Sequence, residues 1–117
     1  MASISIILRR PPYGTVDASE ALRHALGGVT NDMEVKLLLV GGGVHVARKG
    51  QDASQTEYMN AGDGIQDCLD MGVAVYADEA SLKREQLGSD RLIDGVMISN
   101  SAEIADIIGK TDTSMIF

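Results

Sequence analysis

A single cysteine and two histidines are the side chains of this sequence best suited to nucleophilic, proton-transfer or metal chemistry. Cys68 is the only thiol among 117 residues. Ala61, Ile65 and Leu69 share a helical face with it, which predicts a buried position. Because apolar surroundings raise the pKa of a thiol and make it inert, we interpret Cys68 as a core residue, with a working thiol as the alternative.

The histidines and acidic residues give no pattern typical of a metal site. One cysteine and two histidines are too few for structural zinc. His24 lies off the apolar stripe of a predicted helix and is expected at the surface, whereas His45 follows three glycines near a strand end and could touch a ligand. Asp63, Asp67 and Asp70 form an acidic helix ridge, which a solvated face explains more simply than acid–base or metal chemistry. We predict no metal and no cofactor.

Arg9 and Arg10 have the most unusual placement of the charged residues. They follow the first apolar segment and stand beside Tyr13 and Gly14. An arginine pair at the carboxyl end of a strand can bind a small anion or an acidic partner loop. It can equally pair with carboxylates of a neighbouring subunit, and a solvated pair is the remaining interpretation.

The glycine run at 41–43 resembles a phosphate-binding loop only in part. Gly43 is followed by Val44 and His45, so the last glycine of G-x-G-x-x-G is missing, and no lysine–serine pair follows. We interpret the run as a tight turn, since glycine tolerates positive φ, and keep nucleotide binding as an alternative.

The charge balance argues against nucleic-acid binding. Ten basic and 17 acidic residues give a net charge of −7, and the acidic excess lies in the second half of the chain. Nucleic-acid binders usually show the opposite balance. No apolar run approaches the roughly 18 residues of a membrane span. The first apolar segment precedes its arginines, unlike a secretory signal, so we predict a cytoplasmic protein without a membrane segment.

Short apolar segments alternate with helical patterns along the whole chain. Strands are predicted over residues 3–8, 35–40, 73–77, 96–99 and 113–117. Helices are predicted from Thr15 as N-cap to Gly27 and Gly28 as C-cap, over 44–49, 61–71 and 81–87, and after an Asn100–Glu103 capping box; 51–59 is predicted as a loop. This alternation predicts a single α/β domain over 1–117 with a parallel sheet covered on both faces. Ligand sites are expected beyond the carboxyl strand ends, in 9–15, 41–44, 78–81 and 99–101.

The first loop and the helix after it resemble a known family. RRPPYGT at 9–15 and ASEAL at 18–22 are similar to the start of DsrF and TusC proteins. These proteins are subunits of the DsrE/DsrF/DsrH and TusB/TusC/TusD sulfur-relay complexes. Shorter similarities lie at Gly43-Val44 with Lys49-Gly50-Gln51, at VYADEASL (75–82) and at LIDGV (92–96).

The resemblance implies a three-layer α/β/α domain with a five-stranded parallel sheet and a role in cytoplasmic sulfur trafficking. It implies trimers or hexamers, formed by copies of this chain or with DsrE/TusD-like and DsrH/TusB-like paralogues. In the DsrE and TusD branch, a cysteine just after strand three carries a persulfide. The matching position here is Asp78, and a carboxylate cannot form a persulfide. Cys68 lies ten residues earlier and does not match that position.

The resemblance therefore implies a non-transferring subunit, which scaffolds or regulates a cysteine-bearing paralogue in sulfur oxidation or tRNA thiolation. The alternatives are a sulfur carrier that uses Cys68 and a small-anion or nucleotide-binding module. The residues expected to contact a ligand or partner are Arg9, Arg10, Tyr13, Gly14, Gly43 and His45.

Overall fold

A computed structural model describes residues 2–52, 54 and 60–117. Its strands are β1 (Ser3–Leu8), β2 (Glu34–Leu39), β3 (Ala74–Asp78), β4 (Met97–Ser99) and β5 (Thr113–Ile116). Its α-helices are α1 (Asp17–Thr30), α2 (Ala61–Asp70), α3 (Glu79–Arg84) and α4 (Ser101–Lys110), and Gly41–Ala47 and Ser89–Arg91 form 3₁₀ helices. Most of the loop predicted over 51–59 lies outside the described residues.

The five strands form one parallel sheet in the order β4-β3-β2-β1-β5. From β1 to β4 each strand is added beside the one before, so right-handed connections place α1, α2 and α3 on one face. The connection from β4 to β5 runs back across the sheet, and the same handedness places α4 on the opposite face. The predicted three-layer α/β/α fold with a five-stranded parallel sheet is confirmed.

The first face of the sheet carries the larger core. Ile6 of β1, Leu37 of β2 and Val75 of β3 are in register and fully buried. They pack in one cluster with Ala21 of α1 and Ile65 of α2. Both faces of β1 and β2 are covered, which explains why these strands are continuous apolar runs in the sequence.

The second face is covered by α4 alone among the described helices. Ile104 packs against Ile7 and Leu38 in a small separate cluster. Beyond it, Met97 is 44% exposed and Ile116 is 64% exposed. We call Val40, Tyr76, Met97 and Ile116 the uncovered apolar face; they surround or extend the small cluster and are only partly buried or exposed.

The predicted ends of α1 are wrong. Thr15 is not the N-cap, although its hydroxyl accepts the backbone N–H of Asp17 at 3.3 Å; Val16 occupies the cap position. Gly27 and Gly28 do not end the helix, which continues to Thr30. A β-carbon on Gly28 would lie 2.8 Å from a methyl group of Val35. This glycine therefore allows the helix to pack closely on the sheet and is not a cap.

Several other boundaries move by a few residues. The predicted helix over 44–49 is a 3₁₀ helix that starts at the glycines, Gly41–Ala47. The one predicted over 81–87 starts earlier, at Glu79, because Asp78 caps it. The Asn100–Glu103 capping box is confirmed, with each side chain accepting the backbone N–H of the other residue. None of the helices among the described residues has the length and apolarity needed to cross a bilayer.

Gly43 provides a test of how tightly the loop after β2 packs on β1. A β-carbon at this position would overlap the backbone carbonyl of Leu8. We expect Gly43→Ala to lower the free energy of unfolding by about 1–3 kcal/mol, because the backbone must shift to admit the methyl group.

Gly27→Ala is the matched control, since a β-carbon there meets no atom within 4 Å. This change in the helix interior should raise the free energy of unfolding by about 0.5–1 kcal/mol. Urea denaturation measures both variants. Equal stability of Gly43→Ala and the unchanged protein would contradict the packing described.

Candidate functional site

The carboxyl ends of β3 and β4 form the place in this sheet where a ligand site is expected. The chain leaves β3 toward α3 on the first face and leaves β4 toward α4 on the second face. Connections that part in this way mark a switch point of an α/β sheet, the place where ligands usually bind in such folds. Asp78 and Ser99, the last residues of the two strands, are paired in register there. They are 8% and 5% exposed.

The carboxylate of Asp78 holds the start of α3. Its Oδ2 accepts the backbone N–H of Ser81 at 3.0 Å and the hydroxyl of Ser81 at 2.6 Å. This is the N-cap arrangement that aspartate favours at a helix start. Its Oδ1 is buried without a hydrogen-bond partner among the described residues. Asp78 thus acts as a structural cap, and it provides no sulfur atom.

Ser81 joins the loop after β3 to the loop after β2. Its Oγ accepts the backbone N–H of Gly41 at 2.8 Å and faces Nη2 of Arg84 at 3.4 Å. Both of these partners are donors, so the hydroxyl proton of Ser81 is free to go to Asp78. Ser81 was not among the residues expected to contact a ligand or partner. Its signal was the spacing Asp-x-x-Ser at a strand–helix junction, which is typical of an N-cap and its third helical residue.

Cys68 lies in the larger core on the first face of the sheet. It is not one of the residues at the ends of β3 and β4 just described. Its side chain is fully buried in α2. Burial, with a smaller contribution from the charge of Asp67, raises the pKa of this thiol to about 11. A reactive thiol needs the reverse, an accessible position and a lowered pKa. Within residues 2–52, 54 and 60–117, no three His, Cys, Asp or Glu side chains are grouped closely enough to hold a metal ion.

The first loop carries four of the predicted contact residues. Arg9 and Arg10 are exposed; Nε of Arg9 donates to the carbonyl of Phe117 at 3.4 Å, and Nε of Arg10 lies 3.7 Å from Asp17. Gly14 has a φ of 104°, a conformation that favours glycine. Both guanidinium groups are loosely held and available to a partner.

Tyr13 attaches the first loop to the start of α2. Its hydroxyl donates to Oε1 of Gln51 at 2.8 Å and accepts the backbone N–H of Ala61 at 3.4 Å. Gln51 in turn donates to the carbonyls of Val46 and Arg48, both at 2.9 Å. Gln51 therefore connects the first loop, the 3₁₀ helix and α2. This role of Gln51 was not predicted from the sequence.

Gly43 and His45 lie in the 3₁₀ helix that follows β2. Gly43 is buried against β1. His45 is partly buried, with Nε2 at 3.0 Å from Glu85 and Nδ1 at 3.1 Å from Arg48. The glycine turn contacts the first loop, since a β-carbon on Gly42 would lie 3.1 Å from Pro11. The two groups of predicted residues are therefore neighbours, and their ligand or partner stays a prediction.

Ser81→Ala tests the hydrogen-bonded connection between Asp78, Ser81 and Gly41. The variant removes the acceptor of the Gly41 N–H and one donor to Asp78, so we expect a loss of about 1–3 kcal/mol in the free energy of unfolding. Ser101→Ala, at the exposed start of α4, is the control and should change it by less than about 0.5 kcal/mol. Urea denaturation measures both, and indistinguishable variants would contradict the Asp78–Ser81–Gly41 connection.

Comparison with known proteins shows consistent similarity over nearly the whole chain. The chain is 27% identical to the intracellular sulfur oxidation protein DsrF of Allochromatium vinosum, over 93% of this chain and 91% of that protein. It is 27% identical to a TusC homolog of Pseudomonas aeruginosa, over 94% and 93% of the two chains.

The fold is shared with a solved structure. The crystal structure of the ychN protein from E. coli matches all of both chains with a TM-score of 0.91 and 24% sequence identity. The model of the DsrE/DsrF-like family matches residues 2–117. This chain belongs to the DsrE/DsrF-like family.

Proposed function

We propose that this chain is a non-transferring, DsrF/TusC-like subunit of a cytoplasmic sulfur-relay complex. It scaffolds or regulates a cysteine-bearing sulfurtransferase paralogue in sulfur oxidation or tRNA thiolation. The observation that carries the proposal is Asp78 at the carboxyl end of β3. The family resemblance places the persulfide cysteine of the DsrE and TusD branch at this position.

Sulfur transfer between proteins requires a thiolate that attacks the outer sulfur of a donor persulfide. Asp78 offers only oxygen atoms, and one of them already holds the backbone and hydroxyl of Ser81. Cys68, the only thiol of the chain, is buried. The end of β3 thus lacks the sulfur atom that transfer needs. This supports a subunit that works through a paralogue.

Transfer by Cys68 is the main alternative, and its environment argues against it. With a pKa of about 11, roughly one thiol in ten thousand is ionised at pH 7. The sulfur is also fully buried, so a donor protein would reach it only if α2 separated from the core. Neither condition suits a carrier that must load and unload within a catalytic cycle.

Two surface features support assembly with other subunits. The uncovered apolar face leaves Ile116 and Met97 in water, and covering such side chains is a main driving force for association. Arg9 and Arg10 present two loosely held guanidinium groups, which suit carboxylates of a neighbouring subunit. The neighbour in this proposal is a second copy or a DsrE/TusD-like or DsrH/TusB-like paralogue, in a trimer or hexamer.

Incubation with a low-molecular-weight persulfide donor, followed by intact-protein mass spectrometry, tests the absence of transfer chemistry. We expect no added sulfur on the unchanged protein under native conditions, and the same result for Cys68→Ser. A sulfur adduct that disappears in Cys68→Ser would make Cys68 a carrier and overturn the proposal.

The double variant Asp78→Cys, Cys68→Ser is the positive control for that experiment. It places the only thiol at the end of β3, beside the N–H and hydroxyl of Ser81, where hydrogen bonds stabilise an anion. We expect this variant to gain one sulfur atom. A variant that folds but stays unloaded would contradict the assignment of position 78 as the sulfur-bearing position.

Ile116→Lys tests the uncovered apolar face as an assembly surface. Residue 116 is on an edge strand and 64% exposed, so lysine should not disturb the isolated fold but should oppose burial in an interface. We expect analytical ultracentrifugation to show oligomers of the unchanged protein, alone or with its paralogues, that weaken at least tenfold in the variant. Met71→Lys, an exposed site at the end of α2, is the control. Equal assembly of both variants would place the interface elsewhere.

A further inference from the structure

His45 is held at both ring nitrogens by partners from different parts of the chain. Nε2 lies 3.0 Å from Oε1 of Glu85, the C-cap residue that follows α3. Nδ1 lies 3.1 Å from Nη1 of Arg48, the C-cap residue that follows the 3₁₀ helix. The side chains of His45 and Glu85 are 23% and 32% exposed, so the cluster is half-buried and within reach of solvent protons. The proposed sulfur-relay role uses none of these three residues.

The chemistry of the two partners determines where the proton of His45 is bound. A guanidinium has N–H donors and no acceptor, so Nδ1 of His45 must accept the bond from Arg48. A neutral imidazole has one proton, which is therefore on Nε2 and is donated to the carboxylate of Glu85. A neutral ring thus separates one positive and one negative charge.

We propose that the His45–Arg48 contact is a pH-sensitive switch. It is made while His45 is neutral, and it breaks when Nδ1 takes up a proton, because two donors and two positive charges then face each other. Histidine is the side chain whose charge most readily changes between about pH 5 and 8. The Glu85 contact persists in both states and becomes an ion pair in the protonated one.

Other charged groups do not compete for the ring. The elements that pack against the 3₁₀ helix are β2, β3, α2 and α3. Their remaining charged side chains are Glu34, Lys36, Asp63, Asp67, Asp70, Asp78, Glu79, Lys83 and Arg84. Among the described residues, only Glu85 and Arg48 make a hydrogen bond or ion pair with the His45 ring.

Breaking the contact moves the side chain of Arg48 and not its backbone. Arg48 forms a β-bridge with Leu92, and the neighbouring Lys49 N–H donates to the carbonyl of Arg91 at 2.7 Å. Arg48 lines a cavity of about 480 Å³ together with Asp63 and Asp94. Once released, Arg48 has these carboxylates within the same cavity as new partners.

His24 provides an internal reference for the proton assignment. Its Nδ1 lies 2.7 Å from the carbonyl oxygen of Glu20, which can only accept, so Nδ1 of His24 carries a proton. The two histidines of the chain therefore have opposite tautomers when neutral. This contrast is visible in one spectrum of the unmodified protein.

Long-range ¹H–¹⁵N NMR of the imidazole rings tests the inference. At about pH 8 we expect His45 protonated at Nε2 and His24 at Nδ1, with His24→Gln used for assignment. Between about pH 8 and 5, the Arg48 side-chain signals should change together with the His45 ring. A neutral His45 protonated at Nδ1 would overturn the proposal. Arg48 side-chain signals that stay constant while His45 titrates would overturn it as well.

Two variants then test the direction of the coupling. Arg48→Ala removes the donor and the positive charge that oppose protonation, so the midpoint of the His45 titration should rise. Glu85→Gln removes the favourable negative charge and should lower it. Arg84→Ala, which removes a cation bound to Ser81 on the same helix, is the control and should leave the midpoint in place. Equal midpoints in Arg48→Ala and Arg84→Ala would also overturn the proposal. If Arg48→Ala fails to fold, the NMR measurement on the unchanged protein, which reports the His45 tautomer and the response of the Arg48 signals, is the deciding test.

Discussion

Right-handed connections between parallel strands decide which face of this sheet each helix covers. Three connections advance along the sheet in one direction, and the fourth returns across it. That single reversal has two consequences. It sends the chain to opposite faces after β3 and β4, and it leaves α4 to cover the second face alone among the described helices. The candidate site and the uncovered apolar face thus have one cause.

The end of β3 is fastened to its surroundings through side-chain hydrogen bonds. Asp78 caps α3 through Ser81, and Ser81 holds the start of the 3₁₀ helix at Gly41. The far end of α3 is tied to the same 3₁₀ helix through Glu85 and His45. The two short helices are therefore fastened to each other at both ends. A carboxylate suits this fastening, because one of its oxygens accepts both the N–H and the hydroxyl of Ser81.

The sequence predicted the elements better than their polar contacts, for a physical reason. Strands such as Ser3–Leu8 are local apolar runs, and the pattern in the chain alone is enough to find them. Glycines are ambiguous: Gly27 and Gly28 look like a helix end, but only the position of Val35 shows that Gly28 serves close packing. The order of strands follows from connection handedness only once the neighbours of β1 are known.

The candidate site was predictable in position and not in detail. Asp78 was singled out from the resemblance and from its place after a strand. The bond from Gly41 to Ser81 spans 40 residues, as does the contact of His45 with Glu85, and no local pattern in the sequence indicates such pairs. The roles of Tyr13 and Gln51 were hidden for the same reason, since they meet only after the first loop and the start of α2 come together.

The central position of β1 has a consequence for synthesis on the ribosome. β1 is made before the other four strands, yet one of its two neighbours in the sheet is β5, which is made after them. Ser3 bonds to Asp112 across 109 residues. Until that segment emerges, the nascent chain exposes one edge of an apolar central strand, the kind of edge that pairs readily with other chains. The free edge of β1 is therefore paired only after every other strand of the sheet has been made.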